Sequence, residues 1–313
     1  MDEHKPVLVD EVLAALAVRP VGHYVDATFG RGGHSERILH ALGSEGRLIA
    51  IDRDPDAIAA GRARFASERR LTLVHGAYGE LAALLRAADP RHTLYDGMLF
   101  DCGVSSPQLD NPARGFSFQQ DGPLDMRMDP QHGQPVSDWL ARATREEMRH
   151  VIATLGEERF ARRIAVAIET ARILAPLTRT AQLAELVARA VPRREPGKHP
   201  ATRTFQALRM WVNDELGQLR NALPQAVALL RPGGRLALIS FHSLEDAVVR
   251  DFLAARSSVD PALARLPVIP AAAMPQLRLV GRKRRASAAE IAANPRARSA
   301  LLRCAERLGA AAA

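Results

Sequence analysis

The sequence predicts an α/β fold in which a Rossmann-like sheet carries an inserted all-helical domain between strands four and five. Two observations lead to this prediction. Residues 24–52 have the pattern of a strand, a glycine-rich turn, a helix and a second strand. The stretch from Gly103 to Arg235 is much longer than an ordinary link between strands, and it contains several segments of helical periodicity. We therefore expect one domain made of residues 1–123 and 200–313, and an inserted helical domain of residues 124–199.

The glycine-rich turn follows the first predicted strand, Tyr24 to Phe29. Gly32 and Gly33 allow positive φ angles, and they let a ligand approach main-chain N–H groups without a Cβ in the way. Asp52 closes the second predicted strand about 20 residues later, the interval at which dinucleotide folds place a carboxylate on a ribose hydroxyl. Together these residues predict a nucleotide-type pocket.

The charge of Asp26 bears on the identity of the ligand. Asp26 lies in the first predicted strand, close to where the pyrophosphate of NAD would rest, and a carboxylate there repels phosphate. S-adenosylmethionine has no phosphate and carries a cationic sulfonium and an ammonium group. Asp26 therefore favours a methyl donor, and an NAD-dependent oxidoreductase is the less favoured alternative.

The other elements follow from hydrophobic periodicity and turn signals. We predict the helices Pro6–Leu16, Ser35–Leu42, Pro55–Phe65, Leu81–Ala87, Thr144–Leu155, Arg162–Leu174, Gln182–Ala190 and Phe205–Leu223. We predict the further strands Arg47–Ile51, Leu71–Val74, Asp96–Phe100, Arg235–Ser240, Gln276–Gly281 and Ala300–Glu306.

Polar side chains follow three of these strands, and ligands of open α/β sheets bind at the carboxyl ends of strands. Asp101 ends strand four, and Ser105 and Ser106 follow it closely. His242 follows strand five and faces the expected site. Ser243 after it is a good N-cap with Glu245 and Asp246 in the first turn of the next helix, so helix capping is the alternative role of this segment. Tyr78 follows strand three, where it either stacks on an adenine ring or is an ordinary half-buried aromatic.

Composition predicts a globular, cytoplasmic protein with an anionic partner. The formal net charge is +8 and the sequence pI is about 10.4, although a general enrichment in Arg and Ala is an alternative explanation. Only two cysteines occur, without metal-ligand spacing, as is typical of a reducing compartment. The sequence contains neither a signal-peptide pattern nor a long uncharged apolar run.

Two basic segments are candidates for phosphate contacts. One is Arg282 to Arg285, and the other holds Arg193, Arg194, Lys198, His199 and Arg203 on a Pro-rich loop. A solvated linker is the alternative interpretation of the second segment. Phe116 and Phe118, in a long irregular segment, are candidates for stacking on a base.

Several motifs resemble those of one protein family across nearly the whole chain. These motifs are Phe29-Gly-Arg-Gly-Gly-His-Ser, Ile51-Asp-Arg-Asp-Pro, Gly103-Val-Ser-Ser-Pro-Gln-Leu-Asp, Arg114-Gly-Phe-Ser-Phe, Gly122-Pro-Leu-Asp-Met-Arg-Met-Asp, His199-Pro-Ala-Thr-Arg-Thr-Phe-Gln-Ala-Leu-Arg, Ile239-Ser-Phe-His-Ser-Leu-Glu-Asp and Asn294-Pro-Arg-Ala-Arg-Ser-Ala. The chain resembles the bacterial small-subunit ribosomal RNA cytosine-N4 methyltransferases, which methylate a cytidine of the decoding centre.

The resemblance implies a class I methyltransferase fold that uses S-adenosylmethionine and recognises its substrate with the helical insert. The implied cofactor contacts are Gly32, Gly33, His34, Asp52, Tyr78, Asp101 and Gln108. The implied partner is 16S ribosomal RNA within the small subunit, with neither DNA nor a membrane as partner, and with a homodimer as one oligomeric option. The sequence departs from the family pattern at Cys102, where Leu is usual, and at Ala247-Val-Val-Arg.

The implied reaction needs a group that accepts hydrogen bonds from the weakly nucleophilic exocyclic amine of cytosine. We predict Asp101 for this role, aided by Ser105 or Ser106, with His242 as the second candidate for the proton acceptor. Cys102 raises the alternative of covalent carbon-5 methylation, which we disfavour because a free Cys is often a small buried hydrophobe. A non-catalytic ribosome assembly factor that uses the same pocket is a further alternative.

Overall fold

A computed structural model describes residues 6–193, 197, 199–260, 262–268, 270 and 273–309. The chain divides into two compact units. The sheet unit comprises the chain up to Gly103 and from Leu216 onward, and the helical unit comprises Val104–Glu215. No helix in the described ranges is long and apolar enough to cross a membrane.

The sheet unit is built on one sheet in the order β3-β2-β1-β4-β5-β8-β6, with β7 paired to β8. Its strands are β1 His23–Asp26, β2 Arg47–Asp52, β3 Leu71–His75, β4 Tyr95–Asp101, β5 Leu230–Ser240, β6 Leu277–Leu279, β7 Arg284–Arg285 and β8 Leu301–Arg307. Strands β1 to β5 are parallel, and β8 runs antiparallel to β5. The sheet extends from β1 in both directions, so its topological switch point lies between β1 and β4. The predicted Rossmann-like sheet is confirmed.

Alternating apolar residues give this sheet two buried faces. Val25 and Phe100 belong to one core, and their neighbours Tyr24 and Leu99 belong to the other. Helices pack on both faces; those of the sheet unit are α1 Val9–Leu16, α2 Gly33–Ala41, α3 Pro55–Arg64, α4 Leu81–Ala88, α11 Glu215–Leu229, α12 Ser243–Ser257 and α13 Ala288–Ala293. Side chains of α4, α11 and α12 cover the first face, and those of α1 and α2 cover the second. Burial on both faces holds the strand ends in fixed positions.

The helical unit has its own hydrophobic core, which includes the buried side chains of Met148, Ile164 and Leu183. Its helices are α5 Ser106–Asp110, α6 Val136–Arg142, α7 Arg145–Gly156, α8 Ala161–Leu174, α9 Thr180–Ala190 and α10 Thr202–Val212. A separate core of this kind is typical of an inserted domain.

The predicted limits of the insert, residues 124–199, are too narrow. Phe116 lies before residue 124 and is buried in the helical core, and Phe205 and Leu208 of α10 are buried there from the other side. The unit therefore begins directly after β4 and its loop, at Val104, and ends at Glu215.

The predicted helix Phe205–Leu223 is in fact two helices. Helix α10 ends at Val212 and α11 begins at Glu215. Asp214, between them, has a φ of 46°, in the left-handed region where a helix cannot continue. The buried Asn213 side chain donates to Met126 O at 2.7 Å and accepts from Met128 N at 2.8 Å, which fixes the break.

Truncating a buried side chain of α8 should destabilise the helical unit. Ile164 is fully buried, so Ile164→Ala should lower the free energy of unfolding by about 2–5 kcal/mol through lost burial and the cavity that remains. The two tryptophans of the chain, Trp139 and Trp211, both lie in the helical unit. Urea unfolding followed by tryptophan fluorescence therefore measures the effect in that unit.

Ile173 supplies the control, because it lies on the same helix and is 79% exposed. Ile173→Ala should change the free energy of unfolding by less than about 0.5 kcal/mol. Equal effects of the two substitutions would contradict the packing of α8 described here.

Candidate cofactor and active site

Asp26 holds the glycine-rich turn in place at the end of β1. Its carboxylate is buried and accepts from Ser35 Oγ at 2.7 Å and from Thr28 N at 3.1 Å. Burial raises the pKa of Asp26, and the hydrogen bonds from Ser35 and Thr28 oppose that shift. These contacts of Asp26 are to the turn itself, so Asp26 disfavours NAD by repelling phosphate and not by direct contact with a ligand.

The turn requires glycine at two positions. Gly32 has a φ of 76°, and a Cβ there would lie 2.7 Å from the Phe29 ring. A Cβ on Gly33 would lie 2.9 Å from Pro6 Cγ. Gly32 is also the N-cap of α2, and within the described part of the chain no side chain caps this helix. The first amide groups of α2 can therefore bind an anionic group such as a carboxylate.

Asp52 presents a carboxylate at the end of β2, next to the turn. Its two oxygens accept from Gly30 N at 2.7 Å and from Asp54 N at 2.8 Å, which fixes the side chain. Burial raises the pKa of Asp52 to about 6, against the opposing effect of the two amide hydrogen bonds. Each oxygen keeps a second lone pair, so Asp52 can accept hydrogen bonds from the two hydroxyls of a ribose.

The buried His34 on α2 lies beside the partly exposed Asp101 at the end of β4. His34 Nε2 lies 3.5 Å from Asp101 Oδ2, which is too long and poorly aligned for a good hydrogen bond. Burial lowers the pKa of His34, but Asp101 and Asp26 raise it further, so the net shift is upward. Thr28 Oγ1 accepts from Asp101 N at 2.7 Å, and this bond ties the end of β4 to the turn.

Two buried atoms of this pair lack hydrogen bonds. Among the residues that the structure describes, neither His34 Nε2 nor Asp101 Oδ1 has a hydrogen-bond partner. A buried polar atom without a partner costs about 1–3 kcal/mol, so such atoms are expected where a ligand binds. A donor and an acceptor side by side fit the carboxylate and ammonium groups of an amino-acid moiety, such as that of S-adenosylmethionine.

Tyr78 is the first residue of a short 3-10 helix after β3. Its half-buried ring packs edge-on against Phe100, with 5.7 Å between the ring centroids. This contact matches an ordinary packing role and also leaves adenine stacking open. The assignment of Tyr78 to the cofactor stays a prediction.

Ser105, Ser106 and Gln108 lie at the start of the helical unit. Gln108 Oε1 accepts from Ser105 N at 3.0 Å, which helps to cap α5, and the side chains of Ser106 and Gln108 are buried. The predicted roles of Ser105 and Ser106 beside Asp101, and of Gln108 at the cofactor, stay predictions.

His242 caps α12, a role that we expected of Ser243. His242 Nδ1 accepts from Glu245 N at 3.3 Å, and Nε2 lies 3.0 Å from Glu245 Oε1 without pointing its N–H at that oxygen. Glu245 is buried and also accepts from Phe241 N at 2.8 Å. Because both ring nitrogens face groups of the same helix start, this geometry disfavours His242 as the proton acceptor.

Three other candidates, Cys102, Phe116 and Phe118, have these surroundings. Cys102 is buried in the core of the sheet unit, as expected for a small hydrophobe. Phe116 is buried in the helical core, so the prediction that it stacks on a base is wrong. The ring of Phe118 packs on His199 and Phe205, at centroid distances of 4.6 and 4.9 Å.

The sequence did not predict roles for Thr28, Ser35 and Glu245, which support the site through their hydrogen bonds. Thr28 and Ser35 flank the glycine turn, and hydroxyl groups close to a strand carboxylate are the signal that would have indicated them. Glu245 was interpreted only as an acidic residue in the first turn of a helix, because burial of its carboxylate has no signature in the sequence.

Comparison with known proteins connects this geometry to a family. A family model described as the MraW methylase family matches residues 1–308. The chain belongs to the MraW methylase family. The protein is therefore a methyltransferase that uses S-adenosylmethionine, and the NAD oxidoreductase alternative is wrong.

Relatives of this MraW family member carry one name. A protein of Thiobacillus denitrificans is 58% identical over 99% of both chains and is named "Ribosomal RNA small subunit methyltransferase H". Proteins with the same name from Dechloromonas aromatica and Halorhodospira halophila are 54% and 55% identical over 97% of this chain, and the matches cover 98% and 94% of those proteins. The similarity thus extends over both the sheet unit and the helical unit.

The raised pKa of Asp52 predicts that cofactor binding depends on pH. Ribose hydroxyls donate to the ionised carboxylate, which in the free protein forms only as the pH rises through about 6. We expect the affinity for S-adenosylmethionine to rise about tenfold between pH 5 and pH 7. Equilibrium titration by calorimetry at several pH values measures this.

Asp52→Asn should weaken binding and flatten the pH dependence, because the amide does not titrate. The matched control is Asp56→Asn, at an exposed position in the first turn of α3, which should keep the wild-type profile. A wild-type affinity that is constant from pH 5 to pH 7, or an Asp52→Asn variant with the wild-type slope, would rule out Asp52 as the ribose ligand.

Proposed function

We propose that the protein transfers a methyl group from S-adenosylmethionine to the exocyclic N4 of a cytidine in the decoding centre of 16S ribosomal RNA, acting on the small ribosomal subunit. The observation that carries this proposal is the 58% identity, over nearly the whole chain, to a protein named as a small-subunit ribosomal RNA methyltransferase. The choice of N4 and of the decoding centre rests on the motif resemblance described above. The net charge of +8 agrees with an RNA partner.

The chemistry of N4 makes specific demands on the protein. The lone pair of the exocyclic amine is delocalised into the ring, so the amine must be oriented and its hydrogens accepted if electron density is to localise on nitrogen. Asp101 is suited to this task because its Oδ2 faces His34 while its Oδ1 is buried and has no hydrogen-bond partner among the described residues. The two oxygens can therefore serve different partners.

The residues around Asp101 determine how it acts. The bound cofactor supplies an electrophilic methyl group. Thr28 fixes the Asp101 backbone, and His34 Nε2 lies 3.5 Å from Asp101 Oδ2 on the other side of the carboxylate from Oδ1. The Asp101 carboxylate accepts a hydrogen bond from N4 and draws the amine into line. As the new carbon–nitrogen bond forms, the carbon–sulfur bond of the methyl donor breaks, and the amine passes one proton to the Asp101 carboxylate.

The target cytidine must leave its stack before N4 can approach the pocket. N4 of a paired cytosine lies in the helix and is engaged in base pairing, so the enzyme needs a single-stranded or flipped nucleotide. We propose that the helical unit recognises the surrounding RNA.

Replacing the Asp101 carboxylate should abolish methyl transfer. We expect Asp101→Asn to lower the rate about 100-fold or more, since the amide has one accepting oxygen and presents an NH2 donor in place of the other. The assay uses purified small subunits and tritiated cofactor, followed by mass spectrometry of the modified nucleoside. Asp251→Asn, at an exposed position on α12, is the control and should keep the wild-type rate.

The same variant separates the proposal from the assembly-factor alternative. A purely structural assembly role should survive Asp101→Asn, whereas methylation should not. Methylated nucleosides other than N4-methylcytidine in the wild-type reaction, or full activity of Asp101→Asn, would contradict the proposed reaction.

Cys102→Ser should leave the reaction intact. Covalent carbon-5 chemistry needs an accessible thiolate, and the Cys102 side chain is only 3% exposed. We expect activity within about twofold of wild type, allowing for a modest loss of stability from a buried hydroxyl. Loss of all activity together with an RNA adduct trapped on wild-type protein would favour carbon-5 methylation.

A further inference from the structure

A basic cleft lies in the helical unit where the start of α8, the end of α9 and the start of α10 meet. Among the described residues, its polar lining consists of Glu158, Arg159, Arg193, His199, Thr202 and Arg203. Arg194 and Lys198 of the same predicted basic segment lie outside the described residues. We propose that this cleft binds one backbone phosphate of the RNA substrate. The inference rests on the proposed function in one respect, namely that the substrate is RNA.

The size of the cleft fits a phosphate group. Its volume is about 40 Å³, and one water-sized atom fills about 10–15 Å³ by this measure, so the cleft holds a group of about three or four such atoms. The phosphorus and non-bridging oxygens of a phosphodiester make a group of this size.

The charge of the cleft also favours an anion. In the described part of the lining there are three arginines and one carboxylate, Glu158, whose Oε1 accepts from Phe160 N at 2.8 Å. Arg203 is held in position because its Nη1 donates to Glu157 O at 2.7 Å.

His199 adds a neutral donor to the lining. Its Nδ1 accepts from Ala201 N at 3.2 Å, so the ring proton resides on Nε2. Packing against Phe118 holds the ring, with 4.6 Å between the centroids. In this arrangement the Phe118 ring helps to orient His199, which would donate to the phosphate.

The adjoining helix starts are unusually basic. Arg162 and Arg163 lie in the first turn of α8, and Arg203 lies in the first turn of α10, while neither turn contains an acidic residue. Cations at the positive end of a helix dipole destabilise the helix. Such charges are expected at a surface where a bound anion offsets the repulsion.

The other basic segment found in the sequence is less suited to the same task. Arg282 and Lys283 line a groove of the sheet unit together with Arg250 and Arg303. There Arg303 pairs with Asp246 at 2.7 Å and Arg250 with Asp251 at 2.9 Å, so acidic partners already offset part of the charge. Cations outnumber carboxylates by two at both places, so the features that favour the cleft of the helical unit are its size and the His199 donor in its lining.

The test measures binding of a labelled single-stranded oligocytidine RNA as a function of salt concentration. Arg159→Gln and Arg193→Gln each remove one exposed cation of the cleft. Each should reduce the magnitude of the slope of log affinity against log salt by about 0.7. If binding at 1 M salt is unchanged, this corresponds to about a fivefold loss of affinity at 0.1 M salt. The affinity for S-adenosylmethionine should stay at the wild-type value.

Arg142→Gln is the matched control, because this residue is an exposed arginine of the helical unit that does not line the cleft. It should keep the wild-type slope, and Arg193→Lys should keep most of the slope that Arg193→Gln loses. Wild-type slopes in both cleft variants, or an equal loss in Arg142→Gln, would overturn the proposal.

The result is separable from that of the proposed function. Loss of slope in the cleft variants, together with a methylated product other than N4-methylcytidine, would support the phosphate site and contradict the proposed reaction. N4-methylcytidine formation with unaffected RNA binding in both cleft variants would support the proposed reaction and contradict the phosphate site.

Discussion

The hydrogen bonds of the buried Asp26 carboxylate are the constraint on which the candidate site depends. Ser35 and Thr28 bind this carboxylate from the two ends of the glycine turn, and Thr28 also accepts from the backbone of Asp101. The turn, the start of α2 and the end of β4 are thereby fixed together. The positions of His34 and Asp101 follow from these bonds, and their unpaired buried atoms can be tolerated only because the surrounding backbone is held rigidly.

Much of the sheet unit was predictable because its strands are short apolar runs that end at polar residues. Asp52 and Asp101 were found in this way, since strand ends in such a sheet lie at one edge. The limits of the helical unit were not predictable, because nothing in the sequence indicates which core Phe116 and Phe205 join. The break between α10 and α11 depends on the buried amide of Asn213, a tertiary contact without local sequence signal.

The two units differ in the sign of the charge at the sites where their ligands are expected. Three carboxylates, those of Asp26, Asp52 and Asp101, lie around the glycine turn, where a cationic cofactor is expected. The cleft of the helical unit instead gathers arginines, as suits a polyanion. Repulsion between phosphate and these carboxylates disfavours entry of the RNA backbone into the cofactor pocket, so electrostatics helps to keep the two ligands in their own sites.

The position of the helical unit in the chain has a consequence for folding. Strands β4 and β5 pair directly, although more than a hundred residues separate them in sequence. Closing a flexible loop of that length costs entropy, but each doubling of the length adds only about 0.6 kcal/mol. The helical unit is rich in contacts between neighbouring helices, so it can fold early and leave a much shorter effective loop to close. An insert with its own core is thus a kinetically inexpensive addition to the middle of a parallel sheet.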